Sequence, residues 1–203
     1  VAVAGEVTSL YDTNPAKPVD TKMLQYVSEK DLVGLVATGI DGGQYWSSVE
    51  ATVIPMLHGM DLSDEGIAVI ENLVKNINGT ALLSIAMSSL EEDPEVLGII
   101  PVSRYELFNA LNTLEDGAAE MLQREVTIDG AKDITAINLR KDYSFGPAIR
   151  QFEKADNAKG QLCYVYADMT NLTDLVYQFM ASRSYERFRK LINKIGQIGH
   201  IRI

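Results

Sequence analysis

One cysteine and two histidines in 203 residues leave little material for thiol or metal chemistry. Cys163 alone permits no intramolecular disulfide and no cysteine-based metal site. It lies in the apolar run Leu162-Cys163-Tyr164-Val165-Tyr166, which predicts a buried, inert thiol. His58 and His200 stand far apart, without the spacing of a histidine metal pair or a nucleophile elbow, so both are expected in structural or exposed roles. The stretch Asp61-Leu62-Ser63-Asp64-Glu65-Gly66 opens like a calcium loop with glycine sixth. Its twelfth position is Asn72 and not the bidentate glutamate such a loop needs. An acid-rich helix start accounts for the same residues. Glu91-Glu92-Asp93 precedes Pro94 and reads as a solvated turn, not a catalytic carboxylate pair. No catalytic residue, metal site or cofactor is expected.

Cations are also scarce. Eighteen Lys and Arg against 28 Asp and Glu give a net charge of −10, which opposes contact with a phosphate backbone and excludes a nucleic-acid reading. The cations are concentrated at the end of the chain. Arg183, Arg187, Arg189, Lys190, Lys194 and Arg202 face a single acid, Glu186, so residues 181–203 carry +5 and the preceding 180 carry −15. The plain interpretation is the solvated face of a helix lying on an acidic body. No apolar run approaches the ~20 residues that span a bilayer.

What is present is an ordinary apolar fraction, 46%, with mean hydropathy near zero, enough to build a core. Val1 to Val7 reads as a strand, followed by a turn-rich loop to Asp20, and Leu32 to Gly39 as a second strand. A helix follows from about Gln44 to Ile54, with Trp46, Val49 and Val53 on one face and Pro55 at its end or kink. Ser63 caps a helix that Asn78-Gly79 stops, and Thr80 to Leu90 alternates as a half-buried strand, with Ala81, Leu83, Ile85 and Met87 on one side and Ser84 and Ser88 on the other, paired with Glu95 to Val102. Ser103 and Glu106 have capping-box spacing and open a helix with Leu107, Leu111 and Leu114 inward. A hairpin around Asp129-Gly130, a short helix at Pro147, a strand from Gln161 to Ala167 and helices near 171–180 and 184–194 complete the reading. Gly196 to Ile203 reads as a further strand, and both ends read as cut from a longer chain.

A strand-then-helix unit occurs twice. Placing Leu35 over Leu162 sets Asp41 over Asp168, Tyr45 over Leu172, Val49 over Val176 and Val53 over Met180. The expected fold is α+β: a mainly antiparallel sheet with helices packed on one face, in repeated strand-helix-helix-strand lobes. Residues 1–32 would be an opening strand and loop, 33–155 a first lobe, and 156–203 the start of a second, truncated one. The turn Gly39-Ile40-Asp41-Gly42-Gly43 can be read as an anion cradle, since free N–H groups at a helix start attract phosphate. It lacks a Walker lysine and a full G-x-G-x-x-G. Tight-turn geometry explains it better, and the second unit keeps the aspartate without the glycines. Candidate ligand contacts are Asp41, Gly42, Gly43, Tyr45 and Trp46.

The segment Lys132-Asp133-Ile134-Thr135-Ala136-Ile137-Asn138-Leu139, then Gly160 to Asp168, then Leu172-Thr173-Asp174-Leu175-Val176, resembles the large uncharacterised lipoproteins of Bacteroidetes envelopes. In that group strand-helix lobes recur and a strand leads into a short leucine-rich helix. The likeness covers roughly the last 75 residues, and more loosely Val33 to Ala86. It implies an exported, lipid-anchored envelope protein of a Gram-negative bacterium, anchored outside this chain, with no catalytic residues to carry over. A non-enzymatic binding or scaffolding domain is therefore expected, its partner a protein or glycan of the envelope. The alternative is a small-ligand protein or hydrolase with a site between lobes, using Asp41, His58 or Tyr45.

Overall fold

The computed structural model describes residues 16–181. Seven strands form one antiparallel sheet: β1 (Ala16–Lys17), β2 (Leu32–Asp41), β3 (Asn78–Ala86), β4 (Glu95–Ile100), β5 (Thr127–Ala131), β6 (Ile134–Asn138) and β7 (Cys163–Ala167). The spatial order is β2-β3-β4-β6-β5, and the free side of β2 takes β1 and β7 end to end. Five helices accompany it: α1 (Gly42–Gly59), α2 (Asp64–Asn76), α3 (Arg104–Leu114), α4 (Ala118–Glu125) and α5 (Met169–Ala181). The α+β class and the antiparallel sheet are as the sequence predicts.

Strand alternation sends every second residue to one face. Leu35, Ala37, Leu82, Leu97, Ile99, Ala136, Tyr164 and Tyr166 share the core face. A 3-10 helix at Thr21–Tyr26 closes over them with Met23 and Leu24, joined by Phe152 and by Ala158 of a second 3-10 turn. Burying a leucine as fully as Leu24 contributes about 2 kcal/mol. The opposite face is partly open. Val36, Leu83, Ile85 and Val165 are exposed there, whereas Ile128 and Thr135 are buried on the β5 side, where α3 and α4 pack.

α1 and α2 form a helical hairpin with its own core. Trp46 and Leu57 meet Ile67, with Val53, Ile54, Ile70 and Val74 around them. Ser63 accepts the Gly66 N–H at the start of α2, and the Ser103–Glu106 capping box is complete at the start of α3.

Several expectations are corrected. α1 runs through Pro55 to Gly59: the proline costs one backbone hydrogen bond, and the apolar contacts of Leu57 hold the last turn. The β5–β6 turn is Lys132-Asp133, because Gly130 pairs with Thr135 inside the ladder. Leu114 is exposed, and Ala110 is the buried residue of α3. No helix starts at Pro147, while α4 and the two 3-10 turns were not expected. Cys163 is exposed, since it shares a face with Val165.

β7, expected to lead a second lobe, pairs with β2 from Gly34↔Ala167 to Thr38↔Cys163. The described residues thus form one sheet, and of the second strand-helix unit they include the strand, the turn and α5. The strand at 1–7, the basic helix at 184–194, the last strand and His200 lie outside the described residues.

Candidate functional site

The glycine turn after β2 is a close-packed joint. Asp41 caps α1, its Oδ1 accepting the Gln44 N–H at 3.1 Å, while Lys17 Nζ sits 2.9 Å from Oδ2. The Lys17 ammonium, with the Gln44 amide, holds this carboxyl below its ordinary range. The Gly42 N–H is spent on the Ile77 carbonyl at 2.8 Å. A Cβ at Gly42 would fall 1.9 Å from the Val74 carbonyl oxygen, so glycine is needed for the approach of α2. The Asp41 carboxylate occupies the position an anion would take. Trp46 is 2% exposed in the α1–α2 core, and Tyr45 is 48% exposed on α1. The tight-turn reading of these glycines is the one the geometry fits. His58, in the last turn of α1, lies half-exposed with Nε2 3.6 Å from Asp64.

At the far end of the sheet Lys154, Tyr166 and Asp168 form a row with the look of a proton relay. Lys154 Nζ donates to the Tyr166 hydroxyl at 2.7 Å, which donates to Asp168 Oδ2 at 3.2 Å. The Tyr166 contact raises the lysine pKa, so the amine stays charged and is no base. Asp168 is lowered chiefly by the Asn171 amide, and its Oδ1 accepts N–H groups from both Thr170 and Asn171. The Tyr166 ring is buried, edge-on to Phe152 at 4.9 Å. The row is a clamp that fixes the start of α5.

A concavity lies elsewhere. A cleft of about 670 Å³ opens at the β3–β4 turn end of the core face. Register builds its floor: Ser84 is opposite Leu97 and Ala86 opposite Glu95, with Arg140 two residues beyond the core-facing Asn138. Tyr26, stacked on Phe145 at 4.5 Å, and Tyr143 form one wall, and residues 146–150 another. Ser88, Glu92 and Asp93 of the β3–β4 turn form the rim.

Arg140 lines this cleft with its charge already matched. Its Nε and Nη2 donate to the two carboxylate oxygens of Asp142, at 3.1 and 2.8 Å, and Nη1 donates to Glu95 at 3.3 Å. The two carboxylates raise its pKa, so the cation is permanent, and Asp142 is lowered in return. Asn138, fully buried, accepts the Arg140 N–H at 2.8 Å and sets the backbone from which the guanidinium extends. The Tyr143 hydroxyl is shielded and has no protein hydrogen-bond partner. Burial, reinforced by Asp129, pushes its pKa up to about 12.

None of Asp41, Gly42, Gly43, Tyr45 and Trp46 lines the cleft. Its residues come from three distant segments, 26–31, 84–97 and 140–150, and no local motif marks them. The signal in sequence is the alternation that puts Ser84 and Glu95 on the same face as the apolar Leu82, Leu97 and Ile99. Among the described residues no group of acids, histidines or cysteine is disposed to hold a metal. No helix there is long and apolar enough to cross a membrane. No family model, curated protein or solved structure matches the chain.

Proposed function

We propose that this chain is a non-enzymatic binding domain of the bacterial envelope whose cleft takes a neutral, hydroxyl-rich ligand, a glycan. The observation that carries the proposal is the composition of the floor and wall around Arg140. Its guanidinium is matched by Glu95 and Asp142, so an incoming anion would have to compete with two carboxylates already in place. A neutral ligand with adjacent hydroxyls can instead share this balanced set, donating to Glu95 and accepting from the Ser84 and Ser28 hydroxyls. Tyr143, its pKa pushed up to about 12 by burial, remains a neutral phenol at physiological pH. The envelope setting rests on the sequence resemblance, and fractionation of the native host tests it.

Titration against a panel of neutral oligosaccharides tests the cleft. Binding by the full chain that weakens about tenfold or more in both Arg140→Met and Ser84→Val supports it, since each removes polar partners from the ligand. No binding across the panel, or binding untouched by both substitutions, refutes it.

A further inference from the structure

We infer that the glycan is a chain, and that it crosses Ile149 from the cleft beside Arg140 into a second concavity. This rests on the glycan reading of the cleft and adds a second binding site to it. The second concavity holds about 550 Å³ and is lined by Glu29, Lys30, Ile149, Arg150, Gln151 and Glu153. Lys30, Ile149 and Arg150 line the first cleft as well, so the two meet along that wall. Each has the volume of a small-molecule site, and a ligand that fills both is an extended one.

The wall between them is fixed. Ala148 donates its N–H to the Gln25 carbonyl at 2.9 Å, and the Glu29 N–H donates to the Arg150 carbonyl at 2.9 Å. Ser28 and Gln151 form an antiparallel bridge, and the Glu153 N–H donates to Glu29 Oε2 at 3.2 Å. Residues 148–153 are therefore stapled to 25–29, and Ile149 is carried on held backbone. Its side chain is 104% exposed and contributes nothing to the core. An aliphatic group presented in this way, with a polar hollow on either side, matches the two-sided surface of a sugar chain. The C–H face of a ring covers Ile149, and the hydroxyls reach the polar groups that flank it.

The lining selects the same class of ligand as the first cleft. Two acids, Glu29 and Glu153, accompany two cations, Lys30 and Arg150, so the second concavity has no net charge to draw a polyanion or a polycation. Gln151 is exposed, and its amide both donates and accepts, as successive hydroxyls require.

The full chain titrated with neutral glucose and mannose oligosaccharides, from disaccharide to hexasaccharide, tests this. We expect affinity to rise about tenfold or more along a series that binds. The ratio of hexasaccharide to disaccharide affinity should fall toward one when Gln151→Ala and Glu153→Ala are combined. Ile149→Ser should lower the same ratio, and it serves alone if the paired variant shifts the urea midpoint. Affinity that is flat with length, while disaccharide binding still responds to Ser84→Val, keeps the glycan reading and overturns the inference. A gain with length that survives both variants overturns it too, because the chain would then leave the cleft by another route. No binding at any length refutes the glycan reading, and this inference falls with it.

Discussion

Asp41 and Asp168 occupy the same place in two strand-turn-helix units whose strands, β2 and β7, lie side by side and antiparallel. Each carboxylate accepts backbone N–H groups of the helix it precedes: Asp41 from Gln44, Asp168 from Thr170 and Asn171. Each also has a cation nearby, Lys17 bound directly and Lys154 through the Tyr166 hydroxyl. The two helices therefore leave opposite ends of the sheet from equivalent caps.

Replacing Asp168 should loosen α5. Asp168→Ala removes two cap hydrogen bonds and leaves the Tyr166 hydroxyl without its acceptor, and we expect a loss of about 1 kcal/mol. Asp168→Asn retains an amide oxygen for the cap and should recover most of it. Urea denaturation of the three proteins checks this order; equal midpoints for Ala and wild type would show that the cap contributes nothing.

The neighbouring glycines give a sharper contrast. Gly42→Ala places a Cβ against the Val74 and Ile77 carbonyls and should separate α2 from α1, lowering stability by at least about 2 kcal/mol. Gly43→Ala meets only Asp41 Oδ1 at 3.5 Å and should be neutral, or stabilising by up to about 1 kcal/mol through helix propensity. Thermal unfolding followed by Trp46 emission distinguishes the two. If both were harmless, the close approach at Gly42 would not be what selects glycine.

Much of the framework was legible because its signals are local. Ser63 and Ser103 with Glu106 are complete within a few residues and cap helices where expected, whereas β3 alternates with its faces exchanged: Thr80, Leu82 and Ser84 are buried, and Leu83 and Ile85, expected on the apolar side, are exposed. The failures have non-local causes. Pro55 reads as a stop, yet contacts with α2 carry the helix past it. The apolar run around Cys163 suggests burial on both faces, but β7 lies where the outer face is open, so Val165 and Cys163 emerge while Tyr164 and Tyr166 are covered. The cleft was invisible for the same reason: Ser84, Glu95, Arg140 and Tyr143 meet only after β3, β4 and β6 have paired. Irregular segments cover the core face, and they carry no periodicity to read.

Acid should weaken the fold through the capping carboxylates. Asp129 accepts the Phe145 and Gly130 N–H groups, which lower its pKa from 3.8, as the Asn171 amide does for Asp168. A carboxyl depressed in the folded state contributes stability that is fully present above its unfolded pKa and is lost as pH falls through the folded value. The urea midpoint should therefore be level near neutrality and decline below about pH 4. Asp129→Asn should flatten the decline, and an unchanged pH profile in that variant would count against its role.

Tyr143 separates binding from folding. Its shielded hydroxyl makes no protein hydrogen bond, so the fold bears a desolvation cost without a partner. Tyr143→Phe keeps the ring beside Tyr26 and Phe145 and removes only that oxygen. We expect stability to be unchanged or to rise by about 1 kcal/mol, because an unsatisfied polar atom has left a shielded site. Because the hydroxyl is shielded from the cleft, the same substitution should leave glycan binding unchanged while the folded protein becomes no less stable. Calorimetric unfolding and ligand titration on one preparation give both readings. A destabilised Tyr143→Phe protein would mean that the hydroxyl supports the fold, and the cost assigned to it would be refuted.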